Sequence, residues 1–478
     1  MVFSSKIFLL LFLPLVYLLY YGGIIKIRIK NIKYQNYLLF IASILFYAYG
    51  QFKYMLLLLV VIVFNWLMAL WIHDGYKHKR NKLRFLITIL CDILLLAFFK
   101  YFNLITKTMF SMGVISKNMV TDIVLPIGIS FYMFQVLSYV IDVYMNKAKP
   151  CKNIVEVGLY VSLFPQLIAG PIVRYNEIAE QIKYREYDYD KIASGFFRFC
   201  FGLGKKVLLA DYLDFAAKAI LGNAATKDLS VLLCWFGAIC YTLQIYFDFS
   251  GYSDMAIGLS AMFGFKLNEN FNYPYISPNI TEFWRRWHMS LSGWLKDYIY
   301  IPLGGNRCSF LRNILNLFIV WCVTGIWHGA NWTFLLWGIW YFIFIILERY
   351  VLKFKNNEKH KANFESILYR SFTLIVVIVG WVIFFENDIN GIFRIVGGMF
   401  CITGIPIVNA NFFEMIKFYY VIFPIAVLFC CPIYKKVFSL IKTENRESIN
   451  SLMAVLVFFV SLLVVYSHTN SPFIYFQF

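Results

Sequence analysis

Twelve apolar stretches recur along this chain, near residues 7–22, 35–50, 54–72, 85–101, 125–144, 155–172, 230–247, 314–328, 331–348, 371–386, 418–432 and 451–467. They restrict its architecture more than any single motif. A bilayer's hydrocarbon core is about 30 Å thick and takes roughly 20 residues of helix to cross. Composition agrees: 61% of the 478 residues are hydrophobic and only 15% are charged, where soluble globular chains hold about 25% charged residues. The chain reads as an all-α polytopic membrane protein. Several stretches are short, which leaves room for re-entrant elements among the crossings.

The first stretch follows Lys6 and has the length of a signal peptide's apolar region. No small-residue cleavage site comes after it, and Lys26, Arg28, Lys30 and Lys33 form a stop-transfer flank. A retained helix is expected. The net charge of +18 invites a nucleic-acid reading, but the basic residues fall in short loops at 26–33, 77–84, 147–152, 349–361 and 435–446. Loops of this kind face the cytoplasm, so membrane lipid replaces nucleic acid as the expected partner. The first three alternate with the spans between them, putting the N-terminus outside. From 173 to 313 the alternation fails, because Lys205, Lys206, Arg285 and Arg286 lie in segments too amphipathic or too short to place. Irregular backbone at membrane depth persists only when protein shields it or water fills a cavity beside it. This middle third is therefore expected to fold into the interior, around a site.

Ionisable groups at bilayer depth are costly and mark functional sites by default. His328 ends the run Asn316-Leu-Phe-Ile-Val-Trp-Cys-Val-Thr-Gly-Ile-Trp-His328, after Trp327 and before Gly329, Ala330 and Asn331. Two readings stand: a histidine hydrogen-bonded to a neighbouring helix for packing, or a neutral imidazole that accepts a proton from a hydroxyl. His288 lies in Trp284-Arg-Arg-Trp-His288. At helical spacing Trp284, Trp287 and Leu291 share one face, and the amphipathic helix so formed suits an interface or a re-entrant position. Its cations contact lipid phosphate, or Arg285, Arg286, Lys296 and Arg307 hold an anionic cofactor beside the Gly304-Gly305-Asn306 turn. A third constellation interrupts an apolar helix: Gln244, Asp248 and Gly251 on one stripe, Tyr246, Ser250 and Ser253 on the next. Asp248 and Asp254 must face a cavity or pair with arginine.

Ten cysteines, most within apolar stretches and none in a C-x-x-C, give neither a disulfide framework nor a metal site. The chain has no G-x-S-x-G elbow, no H-E-x-x-H zinc pattern and no phosphate loop. An enzyme built from these residues works with histidine, without an obvious nucleophile or metal.

Six ordered motifs carry a resemblance: Leu125-Pro-Ile-Gly-Ile-Ser-Phe-Tyr-Met-Phe-Gln135, Phe164-Pro-Gln-Leu-Ile-Ala-Gly-Pro-Ile172, Tyr246-Phe-Asp-Phe-Ser-Gly-Tyr-Ser-Asp254, Trp284-Arg-Arg-Trp-His-Met-Ser-Leu-Ser292, Tyr300-Ile-Pro-Leu-Gly-Gly-Asn-Arg307 and Gly325-Ile-Trp-His-Gly-Ala330. Together they resemble the membrane-bound O-acyltransferase family, in its bacterial branch with the alginate O-acetyltransferase membrane subunit. The tail Ser471-Pro-Phe-Ile-Tyr-Phe-Gln-Phe478 fits that branch. The resemblance implies one membrane domain over 1–478, with peripheral helices to about 120, a catalytic core over about 121–350 and C-terminal helices over about 370–470. Its fold would be a ring of tilted transmembrane helices around a central funnel with re-entrant helices.

It also implies chemistry. His328 matches the family's invariant histidine and His288 its second, more peripheral one. His328 would accept the proton of an acceptor hydroxyl as that hydroxyl attacks an acyl thioester, with acetyl-CoA as the cytoplasmic donor and no tightly bound cofactor. Gln244, Tyr246, Asp248, Trp284, Trp287, Trp327 and Asn331 would line or brace the funnel. An extracytoplasmic SGNH-hydrolase-like partner bearing a serine would pass the acetyl group to a polysaccharide or peptidoglycan acceptor, from a multi-pass protein of the bacterial cytoplasmic membrane. D-alanyl transfer to teichoic acid, and a transporter or export channel using histidine and acid residues as a proton relay, remain alternatives.

Overall fold

A computed structural model describes residues 1–22, 32–74, 81–185, 188–222, 228–352, 364–433, 436, 439–440 and 443–467. The basic positions Lys26, Arg28, Lys30 and Lys77, much of the 349–361 loop, Lys435 and the tail Ser471–Phe478 lie outside the described residues. Among the described residues the regular structure is entirely helical. Seven helices are long and apolar enough to cross a membrane, or eight if the bent pair Ala410–Tyr419 and Ile422–Phe429, meeting at 66°, makes one crossing. The chain is a polytopic membrane protein, as its apolar pattern implies.

One pair of expected crossings is kept, and two others change. Stretches 35–50 and 54–72 are two helical halves of Ile32–Asp74 that meet at a kink, where Gln51 leaves helical geometry (φ −152°, ψ 69°). The Gln51 side chain takes the backbone N–H of Ile127 at 2.7 Å, which holds the break against a neighbouring segment. Stretch 155–172 does not cross: Ile154–Ser162 ends where Leu163 turns to ψ 112°. A short helix Phe164–Leu167 follows, since proline at 165 cannot lie inside a continuous helix without losing a backbone bond. Every residue from 157 to 173 is buried. Stretch 230–247, by contrast, is the first half of a longer helix, Val231–Met262, whose N-cap Ser230 accepts the N–H of Leu233 at 3.3 Å.

Val231–Met262 is the centre of the molecule. In its most apolar window 83% of the residues are buried, against 17% in the more apolar Asn81–Ser111. The exposed Leu83, Leu86, Leu90, Ile93 and Leu94 of the latter need lipid as their solvent. Two hydrophobic clusters meet on the central helix. Residues up to Phe247 belong to one, residues from Phe249 onward to the other, and Asp248 sits at the junction.

Helix Tyr189–Gly204 lies against the central helix through glycines. A Cβ on Gly202 would stand 2.7 Å from the Gly251 carbonyl oxygen, and one on Gly251 2.8 Å from that of Gly202. Small residues let membrane helices approach this closely. Gly202→Val is therefore expected to lower stability by about 1–3 kcal/mol or more through overpacking, read as a fall in melting temperature in detergent. Gly22→Ala, where nothing lies within 4 Å, serves as the control and should melt like the parent.

Past Gly204 the helix continues through a π turn, Lys205–Ala210, into Asp211–Leu221. A π turn inserts one residue and redirects the side chains around it. Lys205 and Lys206 thereby face different acids. Lys206 is 2% exposed and bonds Asp248 at 2.6 Å and Asp211 at 2.8 Å. Lys205 bonds Asp254 at 2.6 Å, and Arg198 joins Asp254 at 2.8 Å and Glu269 at 2.5 Å. Asp254 meets the expected arginine; Asp248 pairs with lysine instead.

Candidate active site

Helix Phe310–His328 ends at Gly329, which is fully extended (φ −171°, ψ 159°). Asn331 restarts the chain as N-cap of Trp332–Ile346, its Oδ1 accepting from Thr333 N at 3.2 Å. This corner holds the His328 ring 4% exposed, edge-on to Trp337 at 4.9 Å and to Phe384 at 5.1 Å, with Trp327 at 4.8 Å.

The expected amphipathic helix around His288 is broken. Ile280–Arg286 stops, His288 adopts left-handed backbone (φ 46°, ψ 53°), and Met289–Leu295 begins. A non-glycine residue in this region is uncommon and strained, and such strain clusters at functional sites. The reversal turns the imidazole inward. His288 is 1% exposed rather than interfacial, edge-on to Phe249 at 4.6 Å and 6.2 Å from Trp327. Trp327 thus stands between the two histidines. Spacing along a continuous helix could not reveal this, because one residue departs from helical geometry.

Asn270, which no motif or spacing singles out, holds the His288 ring. Its amide nitrogen donates to Ser253 Oγ at 3.0 Å, and its Oδ1 accepts from Ser290 Oγ at 2.9 Å and lies 3.1 Å from His288 Nδ1. A carbonyl oxygen only accepts, so the assigned tautomer carries its proton on Nδ1 and keeps a lone pair on Nε2.

Two cavities open at opposite ends of the helix pair Phe310–His328 and Trp332–Ile346. One, of about 430 Å³, lies at the His328 end and is lined by Lys100, Gln244, Gly329, Asn331 and Phe384 among others. The second, of about 940 Å³, lies at the far end and is lined by Trp284, Arg285, Lys296, Arg307, Trp321 and Arg349 among others. Glu348 shares this cavity, but its carboxylate accepts from the backbone N–H of Ile280 at 2.6 Å and from Thr281, which leaves the rim cationic. Arg286 is held aside by Glu282, Nε to Oε1 at 2.9 Å. Between the cavities stands an aromatic partition: Trp284 meets Trp337 at 5.5 Å, Trp337 meets His328, and His328 meets Phe384.

Of the remaining expected residues, Trp287 is buried against Phe283, Tyr275 and Trp381, and Tyr246 packs in the same group. Asp248 braces the core through Lys206 rather than lining either cavity. Lys100 was missed. It is 5% exposed and bonds the Trp327 carbonyl and, at 3.1 Å, Ser130 Oγ. The rule that singled out His328, charge within an apolar stretch, applies to it equally.

Membrane-length helices around a buried histidine pair, with a cavity at each end of the helix pair that carries His328, define an integral membrane protein with polar groups in its interior. Residues 152–386 match the model of the MBOAT, membrane-bound O-acyltransferase family. Over its full length the chain is 37% identical to a probable alginate O-acetylase AlgI of Pseudomonas putida, covering all of both chains. It is 33% identical to a peptidoglycan O-acetyltransferase of Helicobacter pylori, covering all of this chain and 98% of that one. A teichoic acid D-alanyltransferase of Bacillus subtilis is 29% identical over 49% of this chain and 61% of its own. The chain belongs to the membrane-bound O-acyltransferase family, and it is an O-acyltransferase.

Proposed function

We propose that the protein takes an acetyl group from acetyl-CoA on the cytoplasmic side of the bacterial cytoplasmic membrane and delivers it to a hydroxyl on the other side, for O-acetylation of a polysaccharide or peptidoglycan. The observation that carries this reading is the pair of cavities separated by the single partition that contains His328. The larger cavity, with Arg285, Lys296, Arg307 and Arg349, suits the phosphates of coenzyme A. Arg349 opens the basic 349–361 loop, which the charge rule assigns to the cytoplasm.

In this mechanism the acceptor hydroxyl enters the smaller chamber and gives its proton to His328. Its oxygen bonds the acyl carbon, the C–S bond breaks, and the departing thiolate takes the proton back from the imidazolium. His288 orients donor or acceptor, its ring steadied by Asn270. Holding both reactants at one point supplies much of the rate. An SGNH-hydrolase-like partner with a serine nucleophile would present the hydroxyl and carry the ester onward, consistent with a chain that lacks a nucleophile elbow.

D-alanyl transfer stays as the second reading, favoured by the partial likeness to teichoic acid D-alanyltransferases. The donor separates the two. Purified protein given acetyl-CoA or a D-alanyl carrier-protein thioester should release thiol from acetyl-CoA alone, and a deletion strain should lose base-labile acetate from its surface polymer. Thiol release only from the carrier thioester, or unchanged acetate, would reject the acetyl reading.

A further inference from the structure

Lys100 is a charged side chain buried in the helix that otherwise shows the least buried apolar face of the long spans at its end of the chain. Asn81–Ser111 is mostly lipid-facing, yet this one ammonium is 5% exposed. A buried charge at this depth is expensive unless several partners hold it. Its partners are specific. The ammonium donates to the carbonyl of Trp327 and to Ser130 Oγ, and the next residue, Tyr101, donates its hydroxyl to the Ile326 carbonyl at 2.8 Å.

Those two carbonyls belong to the last turn of the His328 helix, where no intrahelical donor remains. A cation there also complements the helix dipole. Capping alone would explain a lysine at the surface of the turn. It does not explain the second fact, that Lys100 lines the smaller chamber together with Gly329, Asn331 and Phe384. A lysine has three N–H donors, and two are committed to Trp327 and Ser130. The Lys100 ammonium also lies over the ring of Trp327, the residue before His328, 5.5 Å from its centroid.

We infer that Lys100 is an acceptor-binding residue: it pins the end of the His328 helix with two hydrogen bonds and holds the acceptor hydroxyl against His328 with the third. The chamber's other ammonium groups are Lys107 and Lys218, and Lys218 is taken by Asp214 at 2.7 Å. The chamber is therefore cationic, and an oxygen-rich acceptor, whether a serine hydroxyl on a protein or a sugar hydroxyl, enters it as a hydrogen-bond acceptor toward Lys100 and a proton donor toward His328. This rests on the acetyl-transfer reading.

The test compares Lys100→Met, Lys100→Gln and Lys100→Arg in the full-length protein, at matched membrane levels. Two quantities are read: base-labile acetate on the surface polymer, and the rise in melting temperature that coenzyme A causes in purified protein. Losing a charged hydrogen bond is expected to lower acetate roughly 10- to 100-fold in Lys100→Met and Lys100→Gln, with the coenzyme A shift intact, and Lys100→Arg should recover part of the acetate. Lys100→Gln keeps a donor for the Trp327 carbonyl, so it reports on the chamber even where Lys100→Met fails to fold. Full acetate in Lys100→Gln overturns the inference. So does a loss of acetate accompanied by an equal loss of the coenzyme A shift, which is the mark of a cap alone. A deletion strain with unchanged acetate would instead remove the acetyl-transfer reading on which the inference stands.

Discussion

Replacing His328 with alanine is expected to lower acetyl transfer to the surface polymer by about 10²- to 10⁴-fold, the usual contribution of a positioned general base. The protein should still reach the membrane. The ring is held by edge contacts to Trp337 and Phe384, and truncating it leaves a cavity between aromatics without stranding a charge. His328→Gln, which keeps volume and hydrogen bonding but cannot cycle a proton, should fall equally far. Polymer acetate, measured at matched protein levels, decides the matter: retention of wild-type acetate in both variants would remove His328 from the chemistry. If His288 only orients, His288→Ala should retain more activity than His328→Ala, and the coenzyme A-induced melting shift should tell whether it acts on the donor.

The second large effect concerns folding. Lys206→Met should cost about 3–5 kcal/mol, because removing one partner of a buried ion group leaves its counter-charges uncompensated. Here two carboxylates are left, Asp248 at 0% and Asp211 at 15% side-chain exposure. Asp248→Asn should cost less, since Lys206 keeps Asp211 and the amide can still accept from it. Melting of the detergent-purified proteins reads both, with Lys206→Met far below Asp248→Asn. Equal melting temperatures would show that the triad contributes little. Its position at the junction of the two hydrophobic clusters explains why so expensive an arrangement persists: it ties the π turn to the central helix at one register.

Much of this was legible in the sequence. The apolar stretches identified the class, and the charge cost at membrane depth drew attention to His328 and to Asp248. The gap between stretches 35–50 and 54–72 anticipated the break at Gln51. Periodicity failed at His288, which takes a left-handed backbone that no spacing rule anticipates. The partner of Asp248 was missed because Lys206 turns inward only through the π turn, which moves it off the stripe it would occupy on a regular helix. Asn270 was invisible for a different reason. Its role comes from contacts to residues 18 and 20 positions later, beyond a turn and the helix Ile280–Arg286. Nothing in the pattern sets Lys100 apart from other lysines near the end of an apolar stretch, where long side chains commonly reach for the lipid headgroups.

The aromatic partition has an electrical consequence. With an aqueous cavity on either side, the membrane voltage does not fall evenly over the thickness of the bilayer; it is concentrated across the few rings between Trp284 and Phe384. Moving one elementary charge through such a drop changes its energy by about 2.3 kcal/mol per 100 mV. In the proposed transfer the acyl group carries no net charge, so its passage between the cavities would be indifferent to the potential, while the indoles beside it would deny ions and protons a wet route. On that proposal a cell would move acyl groups outward without spending its membrane potential.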